Sequence, residues 1–217
     1  ALAFVMLAAF LRPKLRKRYG TSNISVSWRD QRRLIRTGAP IGGQWLLEML
    51  SFAIFLVLVA QLGDVAMAAS QAFIALLALS FMQASGLGIG VATLVGRYIG
   101  SGDLNHAEKT FRSGLYLSLL IAGSLALLFV FFPQQLMQIF TDNPEVIEQG
   151  AALLLVGAVY QFFDAFGIVA DGALHGAGDT LVPFVARFFL SWTFFLPLAW
   201  FLGFYLEGGL VAAWLAG

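Results

Sequence analysis

The chain alternates between long apolar stretches and short polar connections. Apolar stretches of about 20 residues, the length that crosses a bilayer as a helix, recur along its 217 residues. They predict complete spans at residues 34–62, 66–96, 111–132, 146–171 and 181–203. A preceding helix is expected to end within 1–11, and a further one to begin at 209–217. The pattern therefore favours a fragment of a longer membrane protein.

Turn-forming residues separate these spans. In the connection "FTDNPE", Asp142 or Asn143 is a predicted helix cap. Pro144 and Glu145 follow at positions that suit the first turn of a helix.

The composition agrees with the hydropathy pattern. Hydrophobic residues make up 59% of the chain and charged residues 12%, against roughly 25% charged in a soluble domain. We therefore predict an all-α polytopic membrane protein. The absence of cysteine excludes a disulfide framework, a thiolate metal site and a cysteine nucleophile.

The basic residues predict how the spans are oriented. Nine of the 13 Lys and Arg residues lie between Arg12 and Arg36, and the others flank later connections on the same predicted side. Basic loops stay in the cytoplasm, so we expect a basic cytoplasmic linker at 12–33 and a membrane domain at 34–217. Orientation accounts for this basic segment, so the expected partner is the lipid bilayer and no nucleic acid.

Two carboxylates are predicted to lie at similar depth inside the membrane. Glu48 follows Arg36 by 12 residues, which is about 18 Å along a helix. Asp164 precedes His175 by 11 residues, which is about 16 Å from the same side. An ionised carboxylate in hydrocarbon costs several kcal/mol, so an intramembrane acid is a candidate functional residue.

Each acid belongs to a polar or small-residue stripe on its helix. The stripe of Asp164 holds Gly157, Tyr160, Gly167 and Asp171, and that of Glu48 holds Gln44 and Ser51. Both stripes should face the protein interior or a wet cavity. A structural role remains open, since a buried acid can simply bond a neighbouring Tyr or Gln. Asp171 is closer to the helix end and is predicted to lie near the membrane surface.

The glycines and histidines suggest no further chemistry. The segment "GLGIGVATLVGRYIG" is similar to a nucleotide-binding loop, but it lies within a span and follows no strand. Its glycines are predicted to permit close approach of helices; they are Gly86, Gly90, Gly96 and Gly100. His106 and His175 are predicted to lie in loops without the spacing of metal ligands, and no cofactor is expected.

Four motifs carry a family resemblance. They are "TGAPIGGQWLLEMLSF" at 37–52, "GVATLVGRYIGSGDLNHA" at 90–107, "FTDNPEV" at 140–146 and "DGALHGAGDTLVP" at 171–183. In this order they resemble the C-terminal half of the multidrug and toxic compound extrusion (MATE) family. The usual family form of the last motif has Arg where His175 stands.

The resemblance implies one six-helix lobe of a twelve-helix transporter, from helix 7 to early helix 12. The linker at 12–33 would then join this lobe to an N-terminal lobe, its partner in the same transporter. The implied activity is secondary active efflux, not enzymatic catalysis: amphipathic, often cationic drugs leave in exchange for Na⁺ or H⁺. The implied location is the plasma membrane, in bacteria the inner membrane.

The resemblance also implies a coupling site. The sequence is most like the bacterial sodium-coupled branch, whose cation ligands correspond to Glu48, Asp164 and Tyr160, so the resemblance implies a coupling cation, Na⁺ or H⁺, at Glu48 and Asp164. Gln44 and Asp171 are accessory candidates. The choice between Na⁺ and H⁺ stays open at this point.

Two other functions remain as alternatives. The first is a lipid-linked oligosaccharide flippase of similar architecture, which would be expected to carry several basic residues in its cavity. The second is an intramembrane aspartyl protease, suggested by "GAGD" at 176–179 together with Asp164. Against it, Asp179 is predicted to cap a helix.

Overall fold

The computed structural model describes residues 27–206 and 208–216, except for the side chain of Arg33. The expected end of a preceding helix at 1–11 lies outside the described residues, as does most of the expected linker at 12–33.

Helices account for nearly all of the described residues, and these residues form no strand. In chain order the α-helices are α1 (Trp28–Ala60), α2 (Asp64–Gly100), α3 (Leu104–Phe131), α4 (Pro133–Gln138), α5 (Pro144–Ala177), α6 (Leu181–Phe189), α7 (Leu196–Trp200) and α8 (Gly209–Trp214). The segments Leu190–Phe195 and Phe201–Tyr205 are π-helical.

Within the described part of the chain, five helical segments are long and apolar enough to cross a membrane. They are α1, α2, α3, α5 and the 25-residue segment Leu181–Tyr205, which contains α6, α7 and both π-helical segments. The all-α membrane class is thus confirmed, and the number of helical segments of this length equals the expected number of complete spans. The helices extend beyond the expected spans: α1 already begins at Trp28, inside the range expected for the linker.

Local sequence explains where α5 begins and ends. The side chain of Asn143 accepts a hydrogen bond of 3.0 Å from the Glu145 amide, and Pro144 occupies the first turn, where its missing N–H costs nothing. The predicted cap is confirmed. At the other end Gly178 adopts φ 87°, a left-handed conformation that favours glycine.

Helices α2 and α5 pack at backbone contact. A Cβ atom added to Gly172 would lie 2.4 Å from the carbonyl oxygen of Gly88, and one added to Gly176 would lie 2.4 Å from that of Ala92. Small residues allow this approach because no side chain separates the two backbones. The α2–α5 pair therefore has little freedom to change its spacing.

The glycines that make this contact differ from those predicted. Gly96 does contribute, since a Cβ there would lie 3.0 Å from the Gly176 carbonyl oxygen. At Gly86, Gly90 and Gly100 an added Cβ would have no neighbour within 4 Å. The prediction of close approach is wrong at these three positions. Gly88, which does pack against α5, is two residues from both Gly86 and Gly90, or about 200° around the helix.

The last span departs from regular α-helical hydrogen bonding. The amide of Leu196 bonds to the carbonyl of Ser191, five residues earlier, which is the π-helical pattern. Pro197 follows and has no N–H to donate. Pro40 lies inside α1 without ending that helix. The π-helical segments begin three residues after Arg187, a residue of the site described next.

Candidate cation site

One cavity of about 320 Å³ collects the charged side chains from the interior of the predicted spans. Its polar and charged lining residues are Gln44, Glu48, Ser85, Asp164, Asp171, His175 and Arg187. They come from α1, α2, α5 and α6. All lie within residues 37–217, one of the two units into which the chain divides.

Glu48 lies one turn from the amide that orients it. The Nε2 atom of Gln44 donates a 3.2 Å hydrogen bond to Oε1 of Glu48. Gln44 is 7% exposed, and its own Oε1 is buried without a hydrogen-bond partner. A buried oxygen without a donor is rare and asks for an explanation, and a cation in the cavity supplies one.

Asp171 forms the closest charged contact of the cavity. Its Oδ2 accepts from Nε of Arg187 at 3.2 Å and from Nη2 at 3.0 Å. The same guanidinium lies near α1, with its Nε 3.6 Å from Oε1 of Glu48. Arg187 therefore lies between acids from two other helices.

Glycine makes room for this guanidinium on α5. A Cβ added to Gly167 would lie 3.3 Å from Nη2 of Arg187, so any side chain there would crowd it. Sequence reasoning placed Gly167 on the stripe of Asp164, but it did not identify what the stripe would face.

Asp164 lines the cavity, and its side chain is exposed on the surface of this chain. Among the described residues it forms no salt bridge, whereas Glu48 and Asp171 both pair with Arg187. Of the three carboxylates that line the cavity, Asp164 is thus the one without a salt bridge to Arg187.

The structure brings most, but not all, of the predicted site residues to this cavity. Gln44, Glu48, Asp164 and Asp171 line it. Tyr160 lies one turn before Asp164 and packs against the apolar core instead. Glu48 and Asp164 thus line one cavity, while Tyr160 is outside the lining.

The structure corrects the prediction for both histidines. His106 and His175 lie in helices, in α3 and in the last turn of α5 respectively, not in loops. His175 lines the cavity, and its Nε2 is buried without a hydrogen-bond partner. Within the described residues no three His, Asp or Glu side chains lie close enough to hold a metal ion by themselves.

Arg187 is the residue that sequence reasoning missed. It was counted as a charge flanking a connection, yet it lies inside the span that begins at Leu181. An arginine within a span was the available signal, because such residues pair with acids in the protein interior.

Asp179 lies apart from these carboxylates. Its Oδ1 accepts from the amides of Leu181 and Val182 at 3.2 and 3.1 Å, so it caps α6 as predicted. A protease would require Asp164 and Asp179 to form a pair. Asp179 does not line the cavity that contains Asp164, so this pair is not formed there.

Comparisons with known proteins agree on one family. The MatE family profile matches residues 40–201. The "Probable multidrug resistance protein NorM" of Thermotoga maritima is 32% identical over 206 residues, which cover 95% of this chain and 44% of that protein. The "Multidrug resistance protein NorM" of Aliivibrio fischeri is 35% identical over 202 residues, covering 91% of this chain and 43% of that protein. The chain therefore spans less than half the length of these curated relatives.

Solved structures share the fold. The "Outward-facing conformation of a multidrug resistance MATE family transporter of the MOP superfamily" has a TM-score of 0.78 and 23% identity, covering 85% of this chain and 41% of that one. The "Crystal structure of MATE in complex with MaD5" has a TM-score of 0.79 at 23% identity, with 85% and 42% coverage.

Proposed function

Because this chain belongs to the MatE family, we propose that it is the cation-coupling lobe of a secondary active multidrug transporter. It is a multi-pass membrane protein of the transport class, not an enzyme. Since its curated relatives are bacterial, its membrane is the bacterial inner membrane. The transporter exports amphipathic, often cationic compounds in exchange for Na⁺ or H⁺, and an N-terminal lobe supplies the other wall of the drug pathway.

The observation that carries this proposal is the shared cavity of the intramembrane acids. Glu48 on α1 and Asp164 on α5 line it together. Carboxylates that share a poorly hydrated cavity repel one another unless a cation neutralises them. Neutralisation by an entering cation offsets the cost of keeping acids inside a membrane.

The available ligands suit a small hard cation. Carboxylate oxygens and the unpartnered Oε1 of Gln44 are oxygen donors, the type that alkali and alkaline-earth cations prefer. The coupling cation is substrate here, whether Na⁺ held by these oxygens or a proton held by one carboxylate.

Coupling requires that cation and drug favour different conformations. A ligand shifts a conformational equilibrium only through its different affinity for the two states. We propose that cation binding stabilises the conformation that releases drug, and that drug binding stabilises the conformation that releases the cation. Rocking or bending of the helices around the cavity then gives antiport by alternating access.

The test replaces each acid by its amide. Asp164→Asn and Glu48→Gln keep the shape of the side chains and most of their hydrogen bonding. In a transporter that joins this chain to an N-terminal lobe, both variants should reach the membrane but lose efflux of a cationic dye driven by an imposed Na⁺ or H⁺ gradient. Glu108→Gln is a matched control, because Glu108 pairs with Arg112 on the exposed face of α3 and lies outside the cavity.

The two gradients are imposed separately, which identifies the coupling cation. Normal efflux by both cavity variants would mean that these carboxylates are structural and that the proposal is wrong.

The alternatives are not favoured. Arg187 is the arginine of this cavity, and it is already engaged by Asp171 and Glu48. It is therefore poorly placed to bind the pyrophosphate of a lipid-linked oligosaccharide.

A further inference from the structure

The cavity contains a cation of its own. The guanidinium of Arg187 donates two hydrogen bonds to Asp171, at 3.2 and 3.0 Å. Its Nε is 3.6 Å from Oε1 of Glu48, close enough for strong electrostatic attraction but too long for a hydrogen bond. Arg187 is thus held by Asp171 and attracted by Glu48.

This internal cation is permanent. Arginine keeps its charge in proteins under all ordinary conditions, so Arg187 remains a positive charge in the cavity in every state. Three carboxylates line the cavity together with it: Glu48, Asp164 and Asp171. When all are ionised the cavity retains a net negative charge, which still attracts one further cation.

The helix that carries Arg187 packs little against the rest of the described chain. The span Leu181–Tyr205 has the smallest buried share of the five. Its first π-helical segment begins at Leu190, and π-helical segments are often found at functional sites. On the neighbouring helix α5, Gly167 has no side chain that could hold the guanidinium of Arg187 in one position.

Any coupling cation at Glu48 must therefore compete with Arg187 for the same carboxylate. Two positive charges within about 4 Å of one oxygen repel each other, so binding of the incoming cation weakens the contact between Arg187 and Glu48. Because Arg187 is already hydrogen-bonded to Asp171, its guanidinium can leave Glu48 without a large movement.

We propose that Arg187 is a tethered competitor: it neutralises Glu48 when the coupling cation is absent and shifts wholly onto Asp171 when that cation binds. This inference rests on the proposed function, since it presumes a cation site at Glu48 and Asp164. Arg187 then sets the affinity of that site and promotes release of the cation. Arg187 is a positioning residue, because it acts on the cation through Glu48.

The test measures cation binding, not transport. The purified full chain in lipid nanodiscs is titrated with radiolabelled Na⁺ at constant ionic strength, and potentiometric titration measures bound protons on the same samples. Arg187→Gln should bind the coupling cation about tenfold more tightly, because the competing charge is gone. Arg187→Lys supplies a positive charge at neutral pH without the fixed geometry of the guanidinium, so its cation affinity should lie between those of the unsubstituted protein and Arg187→Gln.

Asp171→Asn gives a second and opposite prediction. It removes the alternative partner of Arg187, so the guanidinium stays on Glu48 and cation binding should weaken about tenfold. In an Arg187→Gln background the same substitution should weaken binding less, because only the negative charge of Asp171 is lost and no guanidinium remains to neutralise Glu48. This pair keeps the inference testable even if Arg187→Gln alone does not fold.

Two controls separate the possible failures. Arg112→Gln removes an exposed arginine that is paired outside the cavity and should leave cation binding unchanged. Asp164→Asn should abolish binding; if it does not, the proposed function itself fails. If Asp164→Asn abolishes binding but Arg187→Gln leaves it unchanged or weakens it, the proposed function stands and the tethered-competitor inference is wrong.

Discussion

The contact between α2 and α5 predicts a sharp difference between two glycine substitutions on this helix pair. Gly172→Ala adds a Cβ that would lie 2.4 Å from the carbonyl oxygen of Gly88 and 2.9 Å from its carbonyl carbon. Ordinary carbon–oxygen contacts start at about 3.3 Å, so the helices must separate by about 0.9 Å. The atoms in the way belong to the backbone, which cannot rotate aside as a side chain can.

The expected cost follows from that displacement. Overpacking a well-packed interior typically costs about 1–3 kcal/mol. Gly176 makes a second contact in the same register, at 2.4 Å from the Ala92 carbonyl oxygen, so separation disturbs both contacts. We expect Gly172→Ala to lower the free energy of unfolding by about 2 kcal/mol, or the melting temperature by about 4–8 °C.

Gly90→Ala is the matched control. An added Cβ at Gly90 has no neighbour within 4 Å, and alanine is the better helix former by about 1 kcal/mol. This variant should be neutral or slightly more stable. Thermal unfolding in nanodiscs, followed by circular dichroism, compares the two. Equal destabilisation by both variants would refute the argument, because it would mean that backbone contact does not decide the outcome.

Three further predictions concern sidedness, pH and the proposed N-terminal lobe. Basic loops stay cytoplasmic, so cysteines introduced at Arg16 and Asn143 of this cysteine-free chain should react with an impermeant reagent from opposite sides of the membrane. Reaction of both from one side would contradict the predicted topology. The hydrogen bond from the His106 amide lowers the pKa of Asp103 in the folded protein. The stabilisation that ionised Asp103 provides should therefore be present above the unfolded pKa of about 3.9 and disappear as pH falls through the lower folded pKa. Asp103→Asn should flatten this acid dependence of the melting temperature. Vesicles that contain this chain alone should show no gradient-driven drug efflux, whereas joining an N-terminal lobe should restore it; efflux by the chain alone would indicate a self-sufficient half-transporter.

The membrane class could be predicted from the sequence because the bilayer leaves little choice. A chain in lipid must satisfy its backbone hydrogen bonds internally, so apolar stretches of sufficient length become helices. The similar depth of Glu48 and Asp164 also followed from the rise of 1.5 Å per residue. Both side chains do line one cavity.

The packed face of α2 could not be predicted in the same way. Gly86, Gly88, Gly90 and Gly96 are alike in sequence, and only the direction of the neighbouring helix distinguishes them. That direction depends on the whole bundle. The structure presents the face that contains Gly88 and Gly96 to α5, and the face with Gly86 and Gly90 lies elsewhere.

Arg187 was predictable from information that sequence reasoning left unused. The turn between α5 and α6 is centred near Asp179, and Asp171 and Arg187 lie eight residues before and after it. In a helical hairpin, equal distances from the turn place two residues at the same height, so their pairing at 3.0 Å follows. When Arg187 is used only as evidence of membrane topology, its pairing with Asp171 is not predicted.

The site thus combines a fixed part with a movable one. Asp164 and Asp171 are carried by α5, which backbone contacts with α2 hold in place. Arg187 is carried by the least buried span, next to a π-helical segment. Packed interiors deform little, so a charge change in the cavity is more easily absorbed by the Arg187 helix than by the α2–α5 pair. We therefore expect conformational coupling to start with movement of α6 relative to α5, and the competition between Arg187 and the coupling cation supplies the force for that movement.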